Sequence, residues 1–86
     1  MYKRQALEHY KKALDIDLPV LGEKHPSVAT TYSNMGNVFD SKGDYDAALE
    51  HYKKARDIRL SAFGKKHPYT LRVSNNIRKI RQKMVS

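Results

Sequence analysis

The sequence contains no cysteine and no tryptophan, and only four glycines and three prolines among its 86 residues. Without cysteine there is no disulfide framework and no thiolate metal site. The glycines stand apart from one another, so none belongs to a phosphate-cradling loop. No apolar run approaches the ~18 residues that a membrane-crossing helix requires. The opening Met1-Tyr-Lys-Arg-Gln5 leads into no apolar signal segment. The expectation is a soluble, cytoplasmic protein. Acids are also scarce in one half. Through Gly43 there are six basic and five acidic side chains, afterwards eleven and four, and no acid follows Asp57. Most of the formal net charge of +8 therefore sits in the second half. Such a surface either attracts acidic peptides, nucleic acid or anionic lipid, or simply solvates an exposed end.

What is present is a chain 40% hydrophobic and 30% charged, the balance of a folded, helix-rich protein. Its length suits one small domain. It also repeats itself. Ala6-Leu-Glu-His-Tyr-Lys-Lys-Ala13 recurs as Ala48-Leu-Glu-His-Tyr-Lys-Lys-Ala55, a shift of 42 residues. The same shift carries Asp15-Ile16 onto Asp57-Ile58, Leu18 onto Leu60, Lys24-His25-Pro26 onto Lys66-His67-Pro68, and Asn34 onto Asn76. An eight-residue identity in so short a chain marks a structural repeat.

Each unit holds two helical patterns. After Pro26, which suits a first helical turn, Thr31, Met35 and Val38 recur at i, i+4 and i+7 beside Tyr32, Gly36 and Phe39. This pattern stops at Ser41-Lys-Gly43, where Gly43 can take a left-handed cap. Asp44 offers an N-cap for the next helix, which runs through Ala48, Leu49, Tyr52, Ala55, Ile58 and Leu60. The chain reads as all-α, with four helices over about 2–20, 27–41, 45–62 and 69–84 joined by short links, so neighbours pack antiparallel.

The segment 29–62 resembles the tetratricopeptide repeat. That family places a large residue, Leu-Gly and an aromatic on helix A, then Ala, an aromatic and Ala on helix B. Tyr32, Met35-Gly36, Phe39, Ala48, Tyr52 and Ala55 stand at those places. Small side chains at 36 and 48 let the helices approach, while Tyr52 and Phe39 fill the space beside them. The usual unit has about 34 residues. The 42-residue unit here, with Leu21-Gly-Glu-Lys-His-Pro26 and Gly43-Asp-Tyr-Asp-Ala-Ala-Leu49, is most similar to the kinesin light chain subgroup. The resemblance implies helical hairpins cut from a right-handed superhelix. Residues 1–22 would be helix B of a partial first repeat, 23–64 a complete repeat, and 65–86 a C-terminal capping helix. In that last helix Ser74, Arg78 and Arg81 replace Tyr32, Gly36 and Phe39, leaving Val73, Ile77, Ile80 and Met84 as one inward stripe. The first helix leaves Ala6, Tyr10 and Ala13 partly uncovered, which suggests missing upstream repeats or a homo-oligomer.

The resemblance also implies a function, a non-catalytic scaffold that binds protein on the concave helix A face. That face falls at Thr30, Ser33, Asn34 and Asn37, and in the last unit at Arg72, Asn75, Asn76 and Lys79. An Asn amide can clamp an extended peptide backbone through its donor and its acceptor, and Arg and Lys pair with carboxylates. Kinesin light chains bind cargo peptides with acidic residues around a tryptophan, so the implied ligand is an extended acidic peptide. The alternatives are a self-associating structural unit, or nucleic-acid binding through Arg72, Arg78, Lys79, Arg81 and Lys83. A membrane-surface role for the basic last helix lacks large apolar residues to support it. His9, His25, His51 and His67 are repeat copies with no two within a helical turn, so neither metal nor cofactor is expected. No carboxylate pair or serine motif suggests catalysis.

Overall fold

The computed structural model describes residues 2–85. Within them the chain forms α1 (Tyr2–Leu21), α2 (Pro26–Lys42), α3 (Tyr45–Phe63) and α4 (Pro68–Val85), with no strand. Every boundary falls within a residue of its expected place. The outer limits of the repeat division, residues 1 and 86, lie outside the described residues.

Local chemistry sets these boundaries. His25 has extended backbone, and its Nδ1 accepts the Ser27 N–H at 3.1 Å. The ring nitrogen thus does what a Ser or Asp oxygen does at other helix starts, and Pro26 opens the helix behind it. The second connector repeats the device, with His67 Nδ1 accepting the Tyr69 N–H at 3.1 Å. At the end of α2, Gly43 adopts φ 82 and donates to the Asp40 carbonyl at 3.0 Å. The Asp44 N–H reaches the Phe39 carbonyl at 2.9 Å, completing a Schellman closure. Asp44 Oδ1 then caps α3 by accepting the Ala47 N–H at 3.3 Å. Pro19 lies inside the last turn of α1 and forfeits one backbone bond. So close to the end the loss is local, and the helix continues to Leu21.

Each helix packs on its sequence neighbours, α1 on α2, α2 on α3 and α3 on α4. The result is a slab whose Cα extents are 40 × 35 × 16 Å. Its centre is the α2–α3 contact. A Cβ built on Gly36 would lie 2.6 Å from Tyr52 Cε1, so only glycine lets the buried ring lie against the α2 backbone. Ala48 and Ala55 are fully buried on the same face of α3. Leu7 and Leu14 attach α1 to this core, and Val73, Ile77 and Ile80 attach α4. Each such side chain contributes about 1.5–3 kcal/mol through burial.

The two ends differ. On α1, Ala6, Tyr10 and Ala13 are half-buried. Ile16 is 67% exposed, whereas its repeat counterpart Ile58 is 7% exposed. On α4, Ser74 is half-buried and Arg78 and Arg81 are exposed, so the outer face is polar. Met84 does not join the inward stripe as expected and is 42% exposed. The stripe outruns its partner, because α3 starts at Tyr45 beside Lys83, and Met84 rests over the α2–α3 turn.

Candidate functional site

The expected peptide face draws Asn34 and Asn37 from α2 and Arg72, Asn75, Asn76 and Lys79 from α4. Asn37, Arg72, Asn75 and Lys79 are exposed, and Asn34 and Asn76 are half-buried. Thr30 is exposed too. Ser33 is buried and withdraws from the face, because it lies on the side of α2 turned toward the core. No hydrogen bond or ion pair among the described residues joins the α2 members to the α4 members. The two helices are tied instead by Lys83, whose Nζ lies 2.8 Å from Asp40 Oδ1. That bond raises the Lys83 pKa above its ordinary value, with the Asp40 charge adding to it.

Two of the asparagines are already engaged. The Tyr52 hydroxyl donates to Asn37 Oδ1, so Asn37 has its amide N–H groups to offer and not its oxygen. Burial, and then the Asp40 charge, pushes the Tyr52 hydroxyl up to about 12, which keeps it a donor. Asn75 Oδ1 accepts from Arg78 Nη2 at 2.7 Å. Asn34 and Asn76, one repeat apart, make no side-chain hydrogen bond among the described residues, so both ends of each amide are open.

Sequence reasoning missed a further feature. Arg59 of α3 is 8% exposed, and its Nη1 donates to the Tyr69 carbonyl at 3.3 Å. Its guanidinium lies 5.6 Å from the Tyr69 ring centre, and that of Arg72 lies 6.0 Å from the same ring. Phe63, at 5.7 Å, holds the ring edge-on. The Tyr69 ring is thus already engaged by its neighbours. No ion pair among the described residues involves either arginine. Burial, and then the like charge of Arg72, lowers the Arg59 pKa from its ordinary value. Two guanidinium groups beside one ring, with no acid paired to either among the described residues, suit an incoming carboxylate. The signal was present in the repeat, where the position that is Asp17 in the first unit becomes Arg59 in the second.

Other features carry less chemistry. A cleft of ≈ 480 Å³ lies where α2 and α3 meet the first connector, lined by Tyr32, Lys54, Asp57, Ile58 and the connector residues Glu23 and Lys24. Its two acids and two lysines cancel. Among the described residues no three His, Asp or Glu side chains converge as metal ligands would, and no described helix is long and apolar enough to cross a membrane. The family model described as tetratricopeptide repeat matches residues 4–61. The match covers α2 and nearly all of α1 and α3 and leaves out the arginine-bearing α4. No curated protein matches the chain.

Proposed function

Since the chain belongs to the tetratricopeptide repeat family, whose members act as protein-interaction scaffolds, we propose that it is a non-catalytic adaptor module binding an extended acidic peptide across α2 and α4. The observation that carries this reading is the Arg59–Tyr69–Arg72 cluster, in which two guanidinium groups meet around one ring with no acid partner. Asn34 and Asn76 would hold the peptide backbone, Asn37 and Asn75 would add single bonds, and Lys79 would extend the positive field. The 42-residue spacing and the two Lys-His-Pro connectors favour the kinesin light chain-like subgroup, and a cytoplasmic setting accompanies that assignment.

The test is fluorescence anisotropy with a labelled peptide carrying acidic residues around a tryptophan. Two backbone hydrogen bonds contribute about 1–3 kcal/mol, so Asn34→Ala/Asn76→Ala weakens binding roughly tenfold or more while far-UV circular dichroism is unchanged. A sequence-scrambled peptide that binds as well, or a double variant that binds normally, sinks the proposal. A second reading, self-association through α1, has its own support in the exposure of Ile16 against its buried counterpart Ile58. Sizing at high concentration separates the two, because Ile16→Glu dissociates an α1-mediated oligomer and leaves peptide binding intact.

A further inference from the structure

The outer groove between α3 and α4 is lined by the repeat counterparts of the α2 face that α3 covers. The 42-residue shift places α4 over α2. In α2 the face formed by Tyr32, Gly36 and Phe39 is covered by α3, with Tyr52 on Gly36 and the His51 ring 4.9 Å from Phe39. In α4 the same positions are Ser74, Arg78 and Arg81, and they border a cleft of ≈ 490 Å³ with Ile77 along its floor and Val85 at one end. Ile77, 3% exposed, matches Met35, also 3% exposed. The floor of the cleft is thus conserved within the molecule while its walls are not.

The third wall residue follows the same rule. Arg56 of α3 borders this cleft, and its repeat counterpart is Leu14, a buried contact of α1. Leu14, Gly36 and Phe39 of the first interface are all replaced by arginine at the second. A solvated end would need polarity, not one sign of charge. It would also not leave Val85 86% exposed beside the arginines. Arginine in particular offers a planar fork that takes a carboxylate through two parallel bonds. Arg78 spends one such bond on Asn75, and Arg56 faces its neighbour Asp57 at 3.7 Å across open surface. No described acid pairs with Arg78 or Arg81.

We propose that this groove docks an acidic amphipathic helix from a protein partner, which stacks on α4 as α3 stacks on α2. Apolar residues of that helix lie on Val85 and on the small part of Ile77 that reaches the cleft, and its carboxylates meet Arg78 and Arg81. An aromatic at the place of Tyr52 is excluded, because Arg78 occupies the space that Gly36 leaves open. A second copy of this chain does not fit. Its one helix B with an uncovered face is α1, which brings His9, Tyr10 and Lys12 to the places that His51, Tyr52 and Lys54 hold on α3, and none of these is an acid. The site is separate from the extended-peptide face and does not depend on it.

The experiment uses the full chain and a fluorescein-labelled peptide of about five helical turns, with glutamates and leucines sharing one face. A scrambled peptide of the same composition is the control. The amphipathic peptide binds about tenfold more tightly than the scrambled one, and Arg78→Glu/Arg81→Glu removes about that factor. Replacing the peptide glutamates by lysine restores binding to the doubly reversed variant. Both arginines are exposed, so the variant folds, as its circular dichroism will show. Asn34→Ala/Asn76→Ala leaves this binding within about twofold, so its failure and that of the extended-peptide reading are told apart. The proposal is overturned if the wild type does not bind the amphipathic peptide, if the scrambled peptide binds equally, or if the lysine peptide fails to rescue. It is also overturned if a single-stranded RNA oligonucleotide displaces the peptide with the same dependence on Arg78 and Arg81, which would make the groove a nucleic-acid site.

Discussion

Replacing Gly36 by alanine sets two effects of opposite sign against each other. Alanine in a helix interior is favoured over glycine by about 1 kcal/mol, so propensity alone predicts a more stable protein. The new methyl carbon, however, would sit 2.6 Å from Tyr52 Cε1 and 2.7 Å from Cδ1. Comfortable carbon–carbon contact is about 3.5–4.0 Å, so the ring must retreat by roughly 1 Å. It has little room, being 2% exposed and held at its hydroxyl by Asn37. Overpacking of this kind costs about 1–3 kcal/mol, and the size of the overlap puts the cost in the upper part of that range. The net expectation is a loss of about 1–2 kcal/mol, a fall in Tm of roughly 4–16 °C for a domain of this size. Urea unfolding followed by circular dichroism measures the free energy, and thermal melts the Tm. The sign should reverse in a Tyr52→Leu background, where no ring edge remains and the propensity gain is left to act. Stabilisation by Gly36→Ala in the wild-type background would falsify the close-contact argument, as would equal effects in both backgrounds.

Tyr52 also sets an alkaline limit. Its pKa is raised by burial to about 12, so folding favours the neutral phenol. That stabilisation is complete below the ordinary tyrosine value and is lost as pH rises toward about 12. Tyr52→Phe should flatten the decline of the urea midpoint over that window, and an unchanged slope would refute the assignment. Lys83 has the same sign, since its raised pKa means a contribution present below the ordinary lysine range and lost above it. Asp40→Asn should therefore remove part of the same alkaline slope, and should make stability at neutral pH less sensitive to salt. Arg59→Met should leave Tm unchanged or higher, because it removes a buried charge with no acid partner. It should weaken acidic-peptide binding about tenfold in the same anisotropy assay. A lower Tm with unchanged affinity would show that Arg59 serves packing alone.

The repeat made most of the fold legible. Once Ala6–Ala13 and Ala48–Ala55 are seen as copies, the helix boundaries, the Gly36–Tyr52 contact and the polar outer face of α4 follow from periodicity and side-chain size. Periodicity places a residue on a face of its helix, but it does not say how far the neighbouring helix extends. Met84 stands off the inward stripe for that reason, and Ser33, which the resemblance puts on the open face, turns inward. Pairings across distance were also out of reach. Nothing local in the sequence links Lys83 to Asp40, or ties the Asn37 oxygen to the hydroxyl of Tyr52. Nothing in the local pattern marks Arg59 as buried. Its burial depends on Tyr69 returning from the far side of the connector.

The thinness of the slab has a consequence of its own. At 16 Å between its outermost Cα atoms, it is only about two helices deep, since packed helix axes lie about 8–10 Å apart and Cα atoms about 2.3 Å from each axis. No side chain is far from water, and any ligand on either broad surface leans directly on residues that hold the helices together. Occupancy is then expressed as rigidity, because a ligand that binds only the folded chain adds RT ln(1 + [L]/Kd) to its stability. The terminal helices α1 and α4 each pack mainly on one neighbour. They should show the weakest hydrogen-exchange protection in the free protein and gain the most when a partner arrives.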